Sequence, residues 1–291
     1  MSAYRTLELS VEGGALHVGV WPGDDGAPTV LAAHGITANH LSYAAIARRL
    51  GDDVTLVAPD LRGRGRSNAI TGPFGITVHA DDLVRVLDHL GLDRAVVVGH
   101  SMGAWVAATT ATRHPDRVAA VVLIDGGYPL VANASGDTAD ISIDDVLAAV
   151  LGPALARLSM TFPDRAAYLD FWRAHPAVGG AYWDDDIVAY VDHDLVGEPP
   201  SLRSSVNGDA IRADATEQLT VHAVGDAAAH LTCPTFRLFA ARGLLDGDPL
   251  YPDAPRDEVV ADTNHYTIAF DGPHGGAAVV ADTIRKAVAA S

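Results

Sequence analysis

The stretch that decides the fold is 95-AVVVGHSMGAWVAATTATRHP-115. An apolar run of strand character, Ala95 to Val98, meets a run of small and apolar residues of helical character, and Gly99-His100-Ser101-Met102-Gly103 joins them. A side chain at 99 or 103 would collide with the adjoining strand or helix. Glycine at both places lets Ser101 take a strained backbone conformation that lifts its hydroxyl out of the turn. G-x-S-x-G between a strand and a helix is the context in which such a serine is a candidate nucleophile.

Working outward, "TVLAA" (29–33), "VTLVAPD" (54–60) and "VAAVVLID" (118–125) are apolar runs without alternation, as expected of strands covered on both faces. Helical patterns separate them, near 41–50 and over "ITVHADDLVRVLDHL" (76–90), which Gly91 closes. "YRTLELS" (4–10) and "ALHVGVW" (15–21) alternate polar and apolar residues and predict an opening hairpin. The alternation of strand and helix predicts an α/β fold with a mostly parallel central sheet and helices on both faces.

After Gly126 this rhythm breaks. Residues 130–230 give helical segments rich in acids and aromatics, and strands resume at "PTFRLFAA" (234–241) and "DEVVAD" (257–262) before a last helix. The expected organisation is a core of 1–129 and 231–291 with a helical cap of 130–230 inserted between two strands. Insertions leave such sheets at the carboxyl ends of strands, where open α/β sheets bind ligands, so the cap is expected to lie over the site.

Composition narrows the function. A net charge of −17 repels phosphate backbones and anionic lipid, so neither nucleic acid nor a membrane surface is an expected partner. Cys233 is the lone cysteine, which rules out an intramolecular disulfide and a cysteine-built metal site. No basic leader precedes an apolar run and no window reaches the roughly 18 apolar residues of a membrane span, so a cytoplasmic protein is expected, as monomer or homodimer.

A serine hydroxyl needs a base to take its proton and an acid to orient that base. Among thirteen histidines, His265 stands between the last strand and the last helix and is the expected base. The acid is expected in "RGLLDGDPLYPD" (242–253), with Asp246 favoured, Asp248 its rival and Asp125 a third candidate whose alternative role is to anchor a loop. Backbone N–H groups of Met102, after the nucleophile, and of Ile36, in "HGIT" (34–37), are the expected oxyanion donors. His34 is read as a hydrogen-bonded support. Phe171, Trp172, Tyr182 and Trp183 are candidates to line a substrate pocket, against the plainer role of packing the cap.

"HGIT" at 34–37, "DLRGRGRS" at 60–67, "GHSMG" at 99–103, "GLLD" at 243–246 and "NHYT" at 264–267 together resemble the α/β-hydrolase fold family over nearly the whole chain. Their order and spacing are similar to its esterase and lactonase-like branch, whose members use Ser, Asp and His. The resemblance implies no cofactor and no metal, and a substrate that is a small to medium, largely apolar ester or lactone. Ser101 stands where the family's dehalogenases and epoxide hydrolases carry aspartate, which argues against those activities. Carbon–carbon bond hydrolysis, cofactor-free perhydrolysis, acyl transfer and ligand reception remain alternatives on the same fold.

Overall fold

The computed structural model describes residues 4–129, 152 and 155–291; the first part of the expected cap, 130–151, therefore lies outside the described residues. One sheet of eight strands organises the described chain: β1 (Arg5–Val11), β2 (Gly14–Trp21), β3 (Thr29–Ala33), β4 (Thr55–Pro59), β5 (Ala95–His100), β6 (Val118–Ile124), β9 (Thr235–Ala240) and β10 (Glu258–Val260). They lie in the order β1-β2-β4-β3-β5-β6-β9-β10. β1 and β2 form an antiparallel hairpin whose second strand also pairs antiparallel with β4, and every other pairing is parallel.

The unbroken apolar runs follow from two-sided burial. Val30 and Ala32 of β3, and Val96 and Val98 of β5, enter a core shared with α1 (Ala44–Leu50) and α8 (Ala277–Ala289). Their neighbours Leu31, Ala33, Ala95 and Val97 enter the opposite core, beneath α2 (Ile76–Leu90) and α3 (Met102–Arg113). Successive strand residues point to opposite faces, so both must be apolar when both faces are covered.

Between β6 and β9 lie α4 (Arg165–Arg173), α5 (Asp185–His193), α6 (Gly208–Thr220), the one-turn α7 (His222–Gly225) and a two-stranded ribbon, β7 (Leu195–Val196) with β8 (Arg203–Ser204). α4 and α5 pack on each other through a cluster of their own that includes Tyr168, Trp172, Ile187 and Val191. No helix among the described residues is long and apolar enough to cross a membrane.

The segment 60–67 anchors the rim. Ser67 Oγ accepts the His17 N–H at 2.9 Å, and Gly65, at φ 50°, passes so near Asp60 that a Cβ would meet its carboxylate. Arg62 makes a bidentate pair with Asp82 at 2.6 and 2.9 Å, both side chains 1% exposed. Asp82→Ala strands that guanidinium in the interior, and a loss of about 3 kcal/mol in urea unfolding is expected. Pairing it with Arg62→Met should restore part of the loss.

Candidate active site

The turn after β5 places Ser101 at φ 56° and ψ −125°. A Cβ at Gly99 would lie 1.9 Å from the Gly103 carbonyl oxygen, and one at Gly103 would lie 1.9 Å from that of Ala33, so neither position tolerates a side chain. The Ser101 N–H donates to Ile124 O at 2.9 Å, which ties the turn to the end of β6.

His265, in the loop after β10, is buried, and its Nε2 lies 3.0 Å from Ser101 Oγ. Its Nδ1 lies 2.6 Å from Oδ2 of Asp125, a buried carboxylate whose Oδ1 accepts the Ala240 N–H at 3.1 Å. Serine, imidazole and carboxylate thus form one hydrogen-bonded line. Such a line can raise the reactivity of the hydroxyl, because the imidazole accepts its proton and the carboxylate holds the resulting cation.

The favoured acid, Asp246, is not the partner of His265. Its Oδ2 accepts from Arg242 at 2.6 Å and its Oδ1 from Asn264 Nδ2 at 3.1 Å, on an exposed turn. Sheet register gives the reason. His100 of β5 lies opposite Ile124 of β6, so the next residue on each strand brings Ser101 and Asp125 together at one rim. Asp246 lies a further strand away and beyond a turn that follows β9. Asp248 likewise has no bond to His265.

The cleft in front of Ser101 is bordered by Ile36 and Met102, the two expected oxyanion donors, and by Trp105, Tyr251 and Phe270. Gly35 carries the loop close in: a Cβ there would stand 3.2 Å from that of Ser101. His34 supports this loop, its Nδ1–H donating to Gly35 O at 2.8 Å and its Nε2 accepting the Leu61 N–H at 2.9 Å. Burial pushes the His34 imidazole down to about 3, and burial beside His265 does the same to His100.

Tyr190 of α5, with Ala215, Gln218 and Leu219 at or near the cleft face of α6, completes the wall. Phe171, Trp172, Tyr182 and Trp183 do not line it. Trp172 is buried in the α4–α5 cluster with Phe171 and Trp183 packed against that cluster, and Tyr182 lies against Gly272. Guanidinium groups of Arg157 and Arg173 sit over Trp172 and Trp183, at 4.9 and 5.2 Å from the ring centroids. An aromatic-rich helical segment buries its rings first in itself; which of its residues face a cleft is set by how the helices lie, not by their composition.

Two groups that sequence reasoning missed act on the loop of 34–37. Fully buried Arg64 donates through Nε to Ile36 O at 2.9 Å and pairs through Nη1 with Asp214 of α6 at 2.6 Å. One guanidinium therefore joins the loop to a helix that forms the wall. An arginine at alternate positions of a turn-rich stretch carries no signal of such a role.

A family model described as the alpha/beta hydrolase fold matches residues 28–162. Lipase LipV of Mycobacterium tuberculosis is 36% identical over 169 residues, 57% of this chain and 60% of that protein. A 2-(acetamidomethylene)succinate hydrolase of Mesorhizobium japonicum is 38% identical over 98 residues, 34% of this chain and 35% of that one. The matches thus span from about a third to about three-fifths of these relatives' length. The crystal structure of an E-2-(acetamidomethylene)succinate hydrolase aligns with a TM-score of 0.73 and 23% identity, over 98% of this chain and 100% of that chain.

Proposed function

Because the chain belongs to the α/β-hydrolase fold family, we propose that it is a serine hydrolase of small to medium, largely apolar carboxylic esters or lactones. Ser101 Oγ attacks the carbonyl carbon as His265 Nε2 takes its proton. The N–H groups of Ile36 and Met102 receive the charge that builds on the carbonyl oxygen. His265 then protonates the leaving alkoxide, Asp125 having held the imidazolium meanwhile, and the acyl group stays on Ser101. Water, deprotonated by the same imidazole, releases it as the acid.

One observation carries this reading: the Ser101–His265–Asp125 line opens into a cleft on whose wall no Asp, Glu, Lys or Arg stands among the described residues. Such a wall favours a neutral, apolar acyl chain over a dicarboxylate of the kind that one relative's name carries. The relative named a lipase supports ester chemistry. The helices α5 and α6, which carry Tyr190, Ala215, Gln218 and Leu219, serve as a cap over this cleft.

A fluorophosphonate probe tests the nucleophile. One adduct per chain is expected, located on Ser101 by peptide mass spectrometry and missing from Ser101→Ala. An ester series of graded acyl length then sizes the pocket. Ester turnover by Ser101→Ala close to that of the parent would sink the proposal.

A further inference from the structure

Away from the cleft, four side chains from separate parts of the chain converge: His17 on β2, His40 in the turn before α1, Asp60 directly after β4, and His193 in the last turn of α5. One donor atom from each lies within 4.8 Å of the other three. His40 and Asp60 are fully buried, and the His17 and His193 side chains are 13% and 11% exposed. We propose that these four residues bind one divalent transition-metal ion of zinc type, and that the bound ion ties α5 to the sheet.

Three imidazoles and one carboxylate are a complete tetrahedral donor set, the kind that holds a structural ion and leaves no open position. Bonds of about 2.0 to 2.2 Å space such ligands about 3.4 Å apart. Asp60 now lies 2.7 Å from both His40 Nδ1 and His193 Nε2, so the ion would spread these contacts while drawing the longest separation, at most 4.8 Å, in by up to about 1.4 Å. Movements of that size lie within rotamer adjustment.

The surrounding bonds are those that orient ligands. His17 Nδ1 is held by Glu8 Oε1 at 2.6 Å, which leaves its Nε2 for an ion, and His40 Nε2 is held by the Tyr4 hydroxyl at 2.6 Å. Asp60 Oδ1 accepts the His40 N–H and its Oδ2 the Arg66 N–H. Ligating histidines and carboxylates are ordinarily fixed in this way by a second set of partners. A hydrogen-bonded network of these groups would join helix and sheet by itself, and the ion would convert that join into a clamp. Tyr190, three residues before His193, stands in the cleft wall, and Asn39 Nδ2 donates to its carbonyl at 2.8 Å. The clamp therefore sets the position of the wall as well.

The test uses the full chain, stripped by a chelator and titrated with zinc chloride against a chromogenic competitor. Expected are one zinc per chain with Kd below about 1 µM, a raised thermal midpoint, and, with cobalt(II) instead, the strong visible absorption of a tetrahedral site. His17→Gln and His193→Ala should each weaken binding by at least about 100-fold, and Glu8→Gln by about 10-fold. His222→Ala, at a fully exposed histidine, should change nothing. Binding of equal strength in the His17→Gln/His193→Ala double variant, a stoichiometry below one, or an octahedral cobalt spectrum overturns the proposal. The parent's stoichiometry and spectrum decide the matter even if a variant fails to fold.

Discussion

Asp125→Asn lowers kcat/KM for a test ester by about 10,000-fold, whereas Asp246→Asn leaves it within about three-fold. The asparagine keeps the shape of the aspartate and its contact with the Ala240 N–H. It can, however, present an N–H to His265 Nδ1, which puts the imidazole proton on Nε2. In that tautomer the ring donates to Ser101 and cannot take its proton. Asp246 is bonded to Arg242 and Asn264, so its change alters a turn next to the base and leaves the relay intact. Steady-state kinetics on the two variants decide between them. Equal losses would mean that the carboxylate at the end of β6 is not the acid.

The second large effect is on stability in acid. His34 and His100 are fully buried and held at about 3, far below the roughly 6.5 of a free imidazole. As pH falls below about 6.5 the unfolded chain takes up these two protons and the folded chain does not, so stability is full above that value and declines down to about 3. Each histidine contributes about 1.4 kcal/mol per pH unit, so from pH 6 to pH 4.5 the pair removes on the order of 4 kcal/mol. His175, lowered chiefly by burial, acts in the same direction. Urea unfolding over that interval checks this, and His100→Gln should reduce the slope. A stability that does not vary over the interval would contradict it. Protonation of His34 also breaks its bond from the Leu61 N–H, so the loop of 34–37 is expected to fail with the fold.

Ser101 and its glycines were legible because the constraint belongs to the motif: a Cβ at Gly99 would stand 1.9 Å from the Gly103 carbonyl within the turn, and one at Gly103 would stand 1.9 Å from the Ala33 carbonyl of the neighbouring strand, wherever such a turn is built beside such a strand. The buried strands were legible because two-sided burial removes alternation, as Val96, Val97 and Val98 show by entering the two cores in turn. His265 followed from chain order, since the loop before the last helix ends at the same rim. By sequence alone Asp125 ranks behind Asp246 and Asp248. An aspartate at a strand end has no signature of its own, and its role depends on β6 lying beside β5, which spacing along the chain does not express. Phe171, Trp172 and Trp183 misled for a related reason: aromatic content does not reveal which face of a helix another helix has claimed. Arg64 and the cluster around Asp60 depend on contacts between distant segments and left no pattern at all.

In the proposed mechanism the acid comes from the end of β6, so the stretch from Arg242 to Asp257 takes no part in proton transfer, although Leu244, Leu250 and Tyr251 within it face the cleft. Its residues do different work: Leu244 and Leu250 are positions where substitution would reshape which acyl groups are admitted, while Arg242 and Asp246 are bonded to the loop that carries His265 and have to be kept.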